Sequence, residues 1–318
     1  MQSNSRKLII GGGISGLIWN FYNPGYQIIT PEVGGDYGRT YMIWMHRTAE
    51  TIKLLKDLGW ENAEELYHDV YIGYFMDGWI KTKLTPEENL KIIQKKMTDW
   101  DKPLNENFLP KSFKMSTTSA DAVNVMKTLD VDLSEVVKRL NDKAHIQHGF
   151  VRSIYNNSIV VTNKLTDDPE SGRVIEYDKL VSTIAAPLFW GSYRQQKLIP
   201  QEFNSHPITN VITKIRPQYH DDKFEMIYYD DSVPYARTSK MGDTYAYEFT
   251  GYISKEKVQE LLYGVKIEDY IVIKYGRIFE GVDNKPPENN MLFLGRFAEW
   301  KFGITTEHVV KKTLDFHQ

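Results

Sequence analysis

Cysteine is missing from all 318 positions of the sequence. Its absence excludes disulfide bonds, cysteine-ligated zinc and iron–sulfur clusters, and it suits a reducing compartment. No signal-peptide pattern precedes the first apolar strand, and no apolar run approaches the length of a membrane span. These absences predict a cytoplasmic protein that has no membrane partner.

A strong excess of either charge is also missing, because 39 basic and 42 acidic residues give a formal net charge of −3. Proteins that bind nucleic acid commonly carry a basic excess or a basic stripe. The charge balance therefore gives a nucleic-acid substrate no support, although it does not exclude one. The densest basic stretch contains Lys91, Lys95 and Lys96. It lies on an amphipathic helix predicted at residues 86–97, and we interpret it as a solvated helix face.

Signatures of metal sites and of serine hydrolases are absent as well. The eight histidines have none of the spacings that are typical of zinc sites, so no metal is predicted. The Gly-x-Ser-x-Gly turn that carries a nucleophilic serine does not occur. The 41% of hydrophobic residues supports a substantial core in a chain of this length.

What the chain does have is a glycine motif close to its first residues. An apolar strand at residues 7–10 runs into Gly-x-Gly-x-x-Gly at Gly11, Gly13 and Gly16. In this motif the first glycine allows a tight turn, the second lets the backbone approach a pyrophosphate, and the third lets the next helix pack closely. A helix is predicted directly afterwards, and its free N–H groups would face the phosphates. The pattern predicts a dinucleotide site.

A second glycine pair follows the second predicted strand, at residues 26–30. Gly34 and Gly35 come shortly after this strand, and such a pair is typical of FAD-binding rather than plain NAD-binding proteins. Glu32 is the acidic residue nearest to the position that binds ribose hydroxyls. The alternative interpretation of Glu32 is a solvated loop carboxylate.

These motifs resemble the FAD-binding domain that flavin amine oxidases, protoporphyrinogen oxidases and UDP-galactopyranose mutases share. The end of the chain agrees, because residues 291–302 contain a strand, the pair Gly295-Arg296 and an aromatic-x-aromatic sequence that leads into a last predicted helix. Residues 177–187 are similar to the strand that returns to the FAD domain. The resemblance covers about the first fifth, a central stretch and the last tenth of the chain.

The resemblance implies an α/β fold, in which a Rossmann-like FAD-binding domain is interleaved with a mixed α+β substrate domain. We expect residues 1–45, 115–190 and 270–318 in the FAD domain, and residues 46–114 and 191–269 in the substrate domain. The implied cofactor is FAD. The residues that the resemblance assigns to the cofactor are Gly11, Gly13, Ile14, Ser15, Gly16, Glu32, Gly34, Gly35, Val151, Gly295, Arg296, Ile304 and Thr305.

The sequence departs from the mutases at the segment that faces the flavin, where Trp44 falls at the position of a histidine. We therefore expect an FAD-dependent oxidoreductase of amine-oxidase type, which transfers a hydride from the carbon beside a substrate nitrogen to flavin N5 before the imine is hydrolysed. The substrate would be a small amine or amino acid, including an amino acid attached to a modified nucleobase. Two alternatives stay open: a non-redox enzyme of the mutase type, and an FAD-binding module without turnover.

Candidate catalytic residues are Trp44, Arg237, Tyr235 and Trp300. Arg237 suits a carboxylate or phosphate because its guanidinium group can donate two parallel hydrogen bonds, and Arg277 and Arg296 share this chemistry. Tyr235 and Trp300 are candidates for the walls of an aromatic cage. The alternative interpretations are structural ion pairs for the arginines and ordinary packing for the aromatic rings.

Overall fold

A parallel sheet of five strands contains the first glycine motif. The computed structural model describes residues 6–35, 44–98, 125–194, 203–278, 282–301 and 303–316. Within these ranges the sheet consists of β1 (Lys7–Gly13), β2 (Tyr26–Gly34), β7 (Ile146–His148), β11 (Lys179–Ser182) and β17 (Met291–Phe293). The spatial order is β7-β2-β1-β11-β17, and every neighbouring pair is parallel. This is the 3-2-1-4-5 order of Rossmann folds.

Eight α-helices are present in the described part of the chain. They are α1 (Ile14–Tyr22), α2 (Ala49–Asp57), α3 (Pro86–Met97), α4 (Leu133–Asp142), α5 (Ala186–Ser192), α6 (Lys255–Leu261), α7 (Arg296–Glu299) and α8 (Thr306–Asp315). None of them combines the length and the apolar character that crossing a membrane would require.

The two faces of the parallel sheet bury separate cores. Ile9 and Ile28 point to one face, where α1, α2, α4 and α8 cover them. Leu8 and Leu180 point to the other face, beneath α5 and an antiparallel sheet of three strands. Those strands are β8 (Phe150–Ile154), β9 (Ser158–Thr162) and β10 (Arg173–Glu176). Because successive side chains of a strand face opposite sides, burial on both faces explains the continuous apolar run before Gly11.

A second large sheet forms the other layer of the molecule, with nine strands among the described residues. They are β3 (Met45–His46), β4 (His68–Met76), β5 (Trp79–Lys81), β6 (Val125–Leu129), β12 (Ser205–Thr213), β13 (Met226–Tyr229), β14 (Arg237–Met241), β15 (Thr244–Thr250) and β16 (Asp269–Ile278). The order is β16-β12-β15-β14-β13-β4-β6-β3, with β5 paired to β4. One face of this sheet buries a core that includes Ile227, Tyr229 and Phe249 and is closed by α6.

Several local elements agree with the sequence analysis. The helix predicted at residues 86–97 is α3, and Thr85 caps it through a reciprocal capping box with Glu88.

The division of the chain into domains stays a prediction. The strands bear on it at two places: β6 and β16 belong to the large mixed sheet, although the predicted boundaries assign most of their residues to the FAD domain.

Candidate functional site

One cavity of about 560 Å³ is lined by residues from both the parallel sheet and the large mixed sheet. The side of the parallel sheet contributes the turn after β1, the glycine pair at the end of β2, and the segment around α7 and the start of α8. Of the residues assigned to a cofactor, those that line the cavity are Gly13, Ile14, Ser15, Gly34, Gly35, Gly295, Arg296, Ile304 and Thr305. Segments far apart in the sequence therefore meet at one site.

Two further glycines shape the turn after β1 without lining the cavity. Gly11 has a φ of 102°, a backbone angle that residues with a side chain rarely adopt. A Cβ on Gly16 would collide with the backbone oxygen of Gly11. The close approach of α1 to β1 therefore requires glycine at position 16, as the motif predicts.

Replacing Gly16 with alanine should destabilise the folded protein by about 1–3 kcal/mol, because an overpacked contact forces the backbone to shift. Gly191 provides the matched control: it lies on α5, and a Cβ there meets no atom within 4 Å. Gly191→Ala should leave stability unchanged or raise it by up to about 1 kcal/mol. Urea denaturation of both variants measures the difference, and equal stabilities would contradict the tight packing of α1.

The Gly295-Arg296 pair lies against the first motif. Gly295 has a φ of 92°, and a Cβ on it would collide with the side-chain oxygen of Ser15. The side chain of Arg296 lines the cavity and donates a hydrogen bond of 3.3 Å to the backbone oxygen of Gly276. Segments far apart in the sequence, around Ser15 and Gly295, therefore contact each other beside the cavity.

Besides these glycines, two residues assigned to the cofactor, Glu32 and Val151, do not line the cavity. Glu32 is exposed near the end of β2, and its backbone oxygen accepts a hydrogen bond of 2.6 Å from the Thr30 hydroxyl. Val151 lies on β8, two residues after Gly149, whose N–H donates to the backbone oxygen of Thr30 at 3.0 Å. Both residues are thus near the end of β2, and their roles stay predictions.

The large sheet presents alternate residues of adjacent strands to the cavity. Tyr228 on β13, Arg237 on β14 and Glu248 on β15 face it in one row, because Tyr228 pairs with Arg237 and Arg237 pairs with Glu248 in the strand register. Arg277 on β16 lines the cavity as well. A strand period of two therefore assembles the charged wall of the site.

Glu248 is the centre of this charged wall. It is only 4% exposed, and its carboxylate pairs with Arg237 at 2.5 Å and with Arg277. Burial raises the pKa of Glu248, but Arg237, Arg277 and Lys96 outweigh burial and hold the pKa below its usual value. The carboxylate is therefore ionised at neutral pH. With two arginines paired to one carboxylate, this wall has an excess of positive charge.

A histidine and a second carboxylate lie elsewhere on the cavity lining. Nδ1 of His46 is 3.2 Å from Oε1 of Glu307, which belongs to the first turn of α8. Burial raises the pKa of Glu307, but hydrogen bonds from Thr305, from its own backbone and from His46 lower it overall. Trp44, the catalytic candidate that precedes β3, also lines the cavity and comes two residues before His46 in the sequence.

The structure supports ordinary packing, rather than an aromatic cage, for Tyr235 and Trp300. Tyr235 precedes β14, and its ring packs edge-on against Tyr229 and Tyr247 on the far face of the sheet. Trp300 is fully buried against Phe203 in the core under the parallel sheet. Neither of the two candidates belongs to the cavity lining that the described residues form.

The basic stretch is predicted to be a solvated helix face. This prediction is wrong for two of its three lysines. The side chain of Lys95 is 5% exposed and lies 3.7 Å from Asp231. Nζ of Lys96 lies 3.6 Å from the centre of the Tyr228 ring. Both follow the buried Ile92 by three and four residues, so helical geometry places them on the buried side of α3.

Solved structures of other proteins are similar to nearly the whole of this chain. No family model and no curated protein sequence matches this chain. Among solved structures, a reduced UDP-galactopyranose mutase is similar with a TM-score of 0.64 and 11% identity, over 98% of this chain and 94% of that chain. A putrescine oxidase bound to putrescine has a TM-score of 0.57 and 13% identity, over 98% and 99% of the two chains. A fatty acid isomerase from P. acnes that produces CLA has a TM-score of 0.59 and 13% identity, over 99% and 98%.

At such low identities the likeness concerns the fold. The predicted α/β class is confirmed, since a Rossmann-type parallel sheet is interleaved along the chain with a mixed sheet. The chain thus has the fold of the UDP-galactopyranose mutase and putrescine oxidase structures, as its sequence resemblance predicts.

Proposed function

We propose that this protein is an FAD-dependent oxidoreductase of amine-oxidase type, which acts in the cytoplasm on an amine that also carries an anionic group. The observation that carries the proposal is a single cavity with two different walls. One wall contains the glycine turn and the start of α1, and the other contains Arg237 and Arg277 around the buried carboxylate of Glu248. A nucleotide cofactor and an anionic substrate group would each find complementary partners there.

The glycine turn fits a bound pyrophosphate. A Cβ built on Gly13 meets no atom within 4 Å, so the space beside its backbone is open to a ligand. α1 begins at Ile14, and no side chain caps its free N–H groups. These groups and the helix dipole attract phosphate. We propose that FAD is held by the nine assigned residues that line the cavity, with Gly11 and Gly16 shaping the turn.

The charged wall favours one class of substrate. When bound, FAD would accept a hydride from the carbon beside the substrate nitrogen, and water would then hydrolyse the imine. Arg237 and Arg277 would hold a carboxylate, because a guanidinium group pairs with it through two parallel hydrogen bonds. The excess of positive charge on this wall would repel a diamine. Free amino acids, or an amino acid attached to a nucleobase, combine the required amine and carboxylate.

Anaerobic reduction of the flavin by matched substrate pairs tests the proposal. The purified protein should be yellow and should release FAD on denaturation. Without oxygen, amino acids should bleach the oxidised flavin faster than the amines that result from their decarboxylation, and air should restore the colour with release of peroxide. A colourless protein that FAD cannot reconstitute would contradict cofactor binding. A yellow protein that no amine bleaches would favour a binding module without turnover.

Replacing Arg237 with alanine should remove one contact to the substrate carboxylate while Arg277 still pairs with Glu248. We expect kcat/KM for amino acids to fall about 10- to 150-fold, because a charge-assisted hydrogen bond contributes about 1.5–3 kcal/mol. The decarboxylated amines should lose much less. Arg216→Ala is the control, since Arg216 is exposed and pairs with Asp222 at 3.8 Å outside the cavity lining. An equal loss for both substrate classes would argue against a contact to the carboxylate.

A non-redox enzyme of the mutase type is the second candidate. The paired arginines favour it, because a nucleotide diphosphate substrate needs two such groups close together. In that case turnover should require prior reduction with dithionite or a nicotinamide, and it should leave the substrate without net oxidation. Activity only after pre-reduction, with no peroxide from any amine, would favour this candidate over the first.

A further inference from the structure

Tyr228 lies among cations at the cavity wall. Its ring stacks on that of Tyr74, with centroids 5.9 Å apart and an interplanar angle of 20°. Nζ of Lys96 is 3.6 Å from the centre of the Tyr228 ring, and the guanidinium carbon of Arg237 is 5.9 Å from it. Tyr228 lines the cavity, so this tyrosine combines access to a ligand with a strongly cationic surrounding.

The fold fixes this arrangement through backbone contacts. Tyr228 and Arg237 are direct partners in the register of β13 and β14. Lys96 lies in the last turn of α3, where its backbone oxygen accepts a hydrogen bond of 3.0 Å from the hydroxyl of Thr250 on β15. The helix end that carries Lys96 is therefore attached to the sheet that carries Tyr228.

The charged groups that act on Tyr228 come from four elements. Lys96 on α3, Arg237 on β14 and Arg277 on β16 are cations, whereas Glu248 on β15 is an anion. Burial raises the pKa of Tyr228, but the three cations outweigh burial and the carboxylate, and they lower the pKa to about 8. Burial also lowers the pKa of Lys96. A phenolate at position 228 is thus accessible close to neutral pH.

We propose that Tyr228 is the base that converts the ammonium group of the bound substrate into a free amine. This inference rests on the proposed function, because it requires an amine in the cavity. The phenolate oxygen forms an O–H bond as an N–H bond of the substrate breaks, and the nitrogen keeps the electron pair. Tyr228 becomes a neutral phenol and the substrate loses one positive charge. The cations keep Tyr228 in its phenolate form before the substrate binds, and they disfavour the charged form of a nearby ammonium group, which favours the loss of its proton.

The ionisation of Tyr228 can be measured without turnover. Protein labelled with ¹³C at the tyrosine Cζ should show one resonance that titrates with a midpoint of about 8, and Tyr228→Phe should remove it. Lys96→Met should move this midpoint upward by about 1–3 pH units, because it removes a nearby cation. Tyr263→Phe is the control, since Tyr263 is 95% exposed and should leave the resonance in place.

Anaerobic flavin reduction by an amino acid then tests the proton transfer. In the unsubstituted protein its rate should rise with pH through the NMR midpoint, because the phenolate is the active form. Tyr228→Phe should lower the rate about 100-fold or more and remove this rise. Lys96→Met should shift the rise upward by the same amount as the NMR midpoint, which a purely structural role of Tyr228 would not produce.

The outcomes separate this inference from the proposed function. If the unsubstituted protein and Tyr228→Phe are bleached at the same rate with the same pH profile, Tyr228 is not the base, whereas the proposed function stands. A resonance of Tyr228 that does not titrate below pH 10 overturns the inference in the same way. If no amine bleaches the unsubstituted protein, the proposed function fails, and the role of Tyr228 as a base for an amine fails with it.

Discussion

Glu248→Gln should lower the free energy of unfolding by about 3 kcal/mol. Removing one partner of a buried ion pair leaves the other charge uncompensated, which costs about 3–5 kcal/mol. Here the loss leaves both Arg237 and Arg277 without their carboxylate. The lower end of the range applies, because the two arginine side chains keep exposures of 21% and 19% and water can reach them.

Urea denaturation at neutral pH measures this difference, with Glu260→Gln as the matched control. Glu260 is an exposed glutamate that pairs with Lys257 on α6, so its replacement should cost less than about 1 kcal/mol. Sulfate or phosphate should stabilise Glu248→Gln more than the unsubstituted protein, because an anion can replace the missing carboxylate between the arginines. Equal stability of the two glutamine variants would contradict the buried cluster.

The stability deficit of Glu248→Gln should also depend on pH. The pKa of Glu248 is lower in the folded protein than its usual value of 4.5. The ionised carboxylate therefore stabilises the fold fully above about pH 4.5, and this contribution is lost as the pH falls through the lower folded-state pKa. The difference between the variant and the unsubstituted protein should shrink over that acidic range. A constant difference down to the lowest pH at which the protein folds would argue against the pairing.

The sequence predicts the turn after β1 and the packing of α1 well, because their determinants are local. Gly11 and Gly16 have backbone or packing requirements that only glycine satisfies, and the motif states those requirements directly. The bounds of α3 are equally local, since Thr85, Pro86 and Glu88 form a complete start signal.

The charged wall is not predictable in this way, because it depends on strand register and on the choice of buried face. Alternation shows that Tyr228 shares a face with Met226 rather than with Tyr229. It does not show which of the two faces meets the cavity, since both carry tyrosines. Only the pairing of β13, β14 and β15 brings Tyr228, Arg237 and Glu248 into one row.

For Lys96, the helical spacing and the charge of the side chain give opposite predictions of burial. It follows the buried Ile92 by four residues, so helical spacing assigns both to one side of α3. The charge of lysine favours the opposite interpretation, because lysine is rarely buried without a partner. The partner here is the face of the Tyr228 ring, and the charge of Glu248 also favours the protonated lysine. Neither lies near α3 in the sequence.

Gly13→Val should lower the affinity for FAD at least about 100-fold while the fold persists. Gly13 has φ −70° and ψ 176° at the start of α1, a conformation that valine adopts without strain. A Cβ at this position meets no atom within 4 Å, so the side chain would extend into open space at the cavity wall. That space is where we propose that the pyrophosphate lies. Loss of two charge-assisted hydrogen bonds to it, at about 1.5–3 kcal/mol each, lowers affinity at least about 100-fold.

Gly25→Val is the matched control for this prediction. Gly25 lies in the turn before β2, outside the cavity lining, and a Cβ there also meets no atom within 4 Å. Measured without cofactor, Gly25→Val should unfold within about 0.5 kcal/mol of the unsubstituted protein. Gly13→Val should cost no more than about 2 kcal/mol, because valine is a poorer N-cap for α1 than glycine. The flavin content after purification, and the titration of each apoprotein with FAD, should then differ only for Gly13→Val. If Gly13→Val binds FAD as the control does, the turn after β1 does not hold the pyrophosphate. If Gly13→Val fails to fold, the open space beside Gly13 is contradicted instead. The stability measurement therefore tests the open space, and the FAD titration tests whether the pyrophosphate lies there.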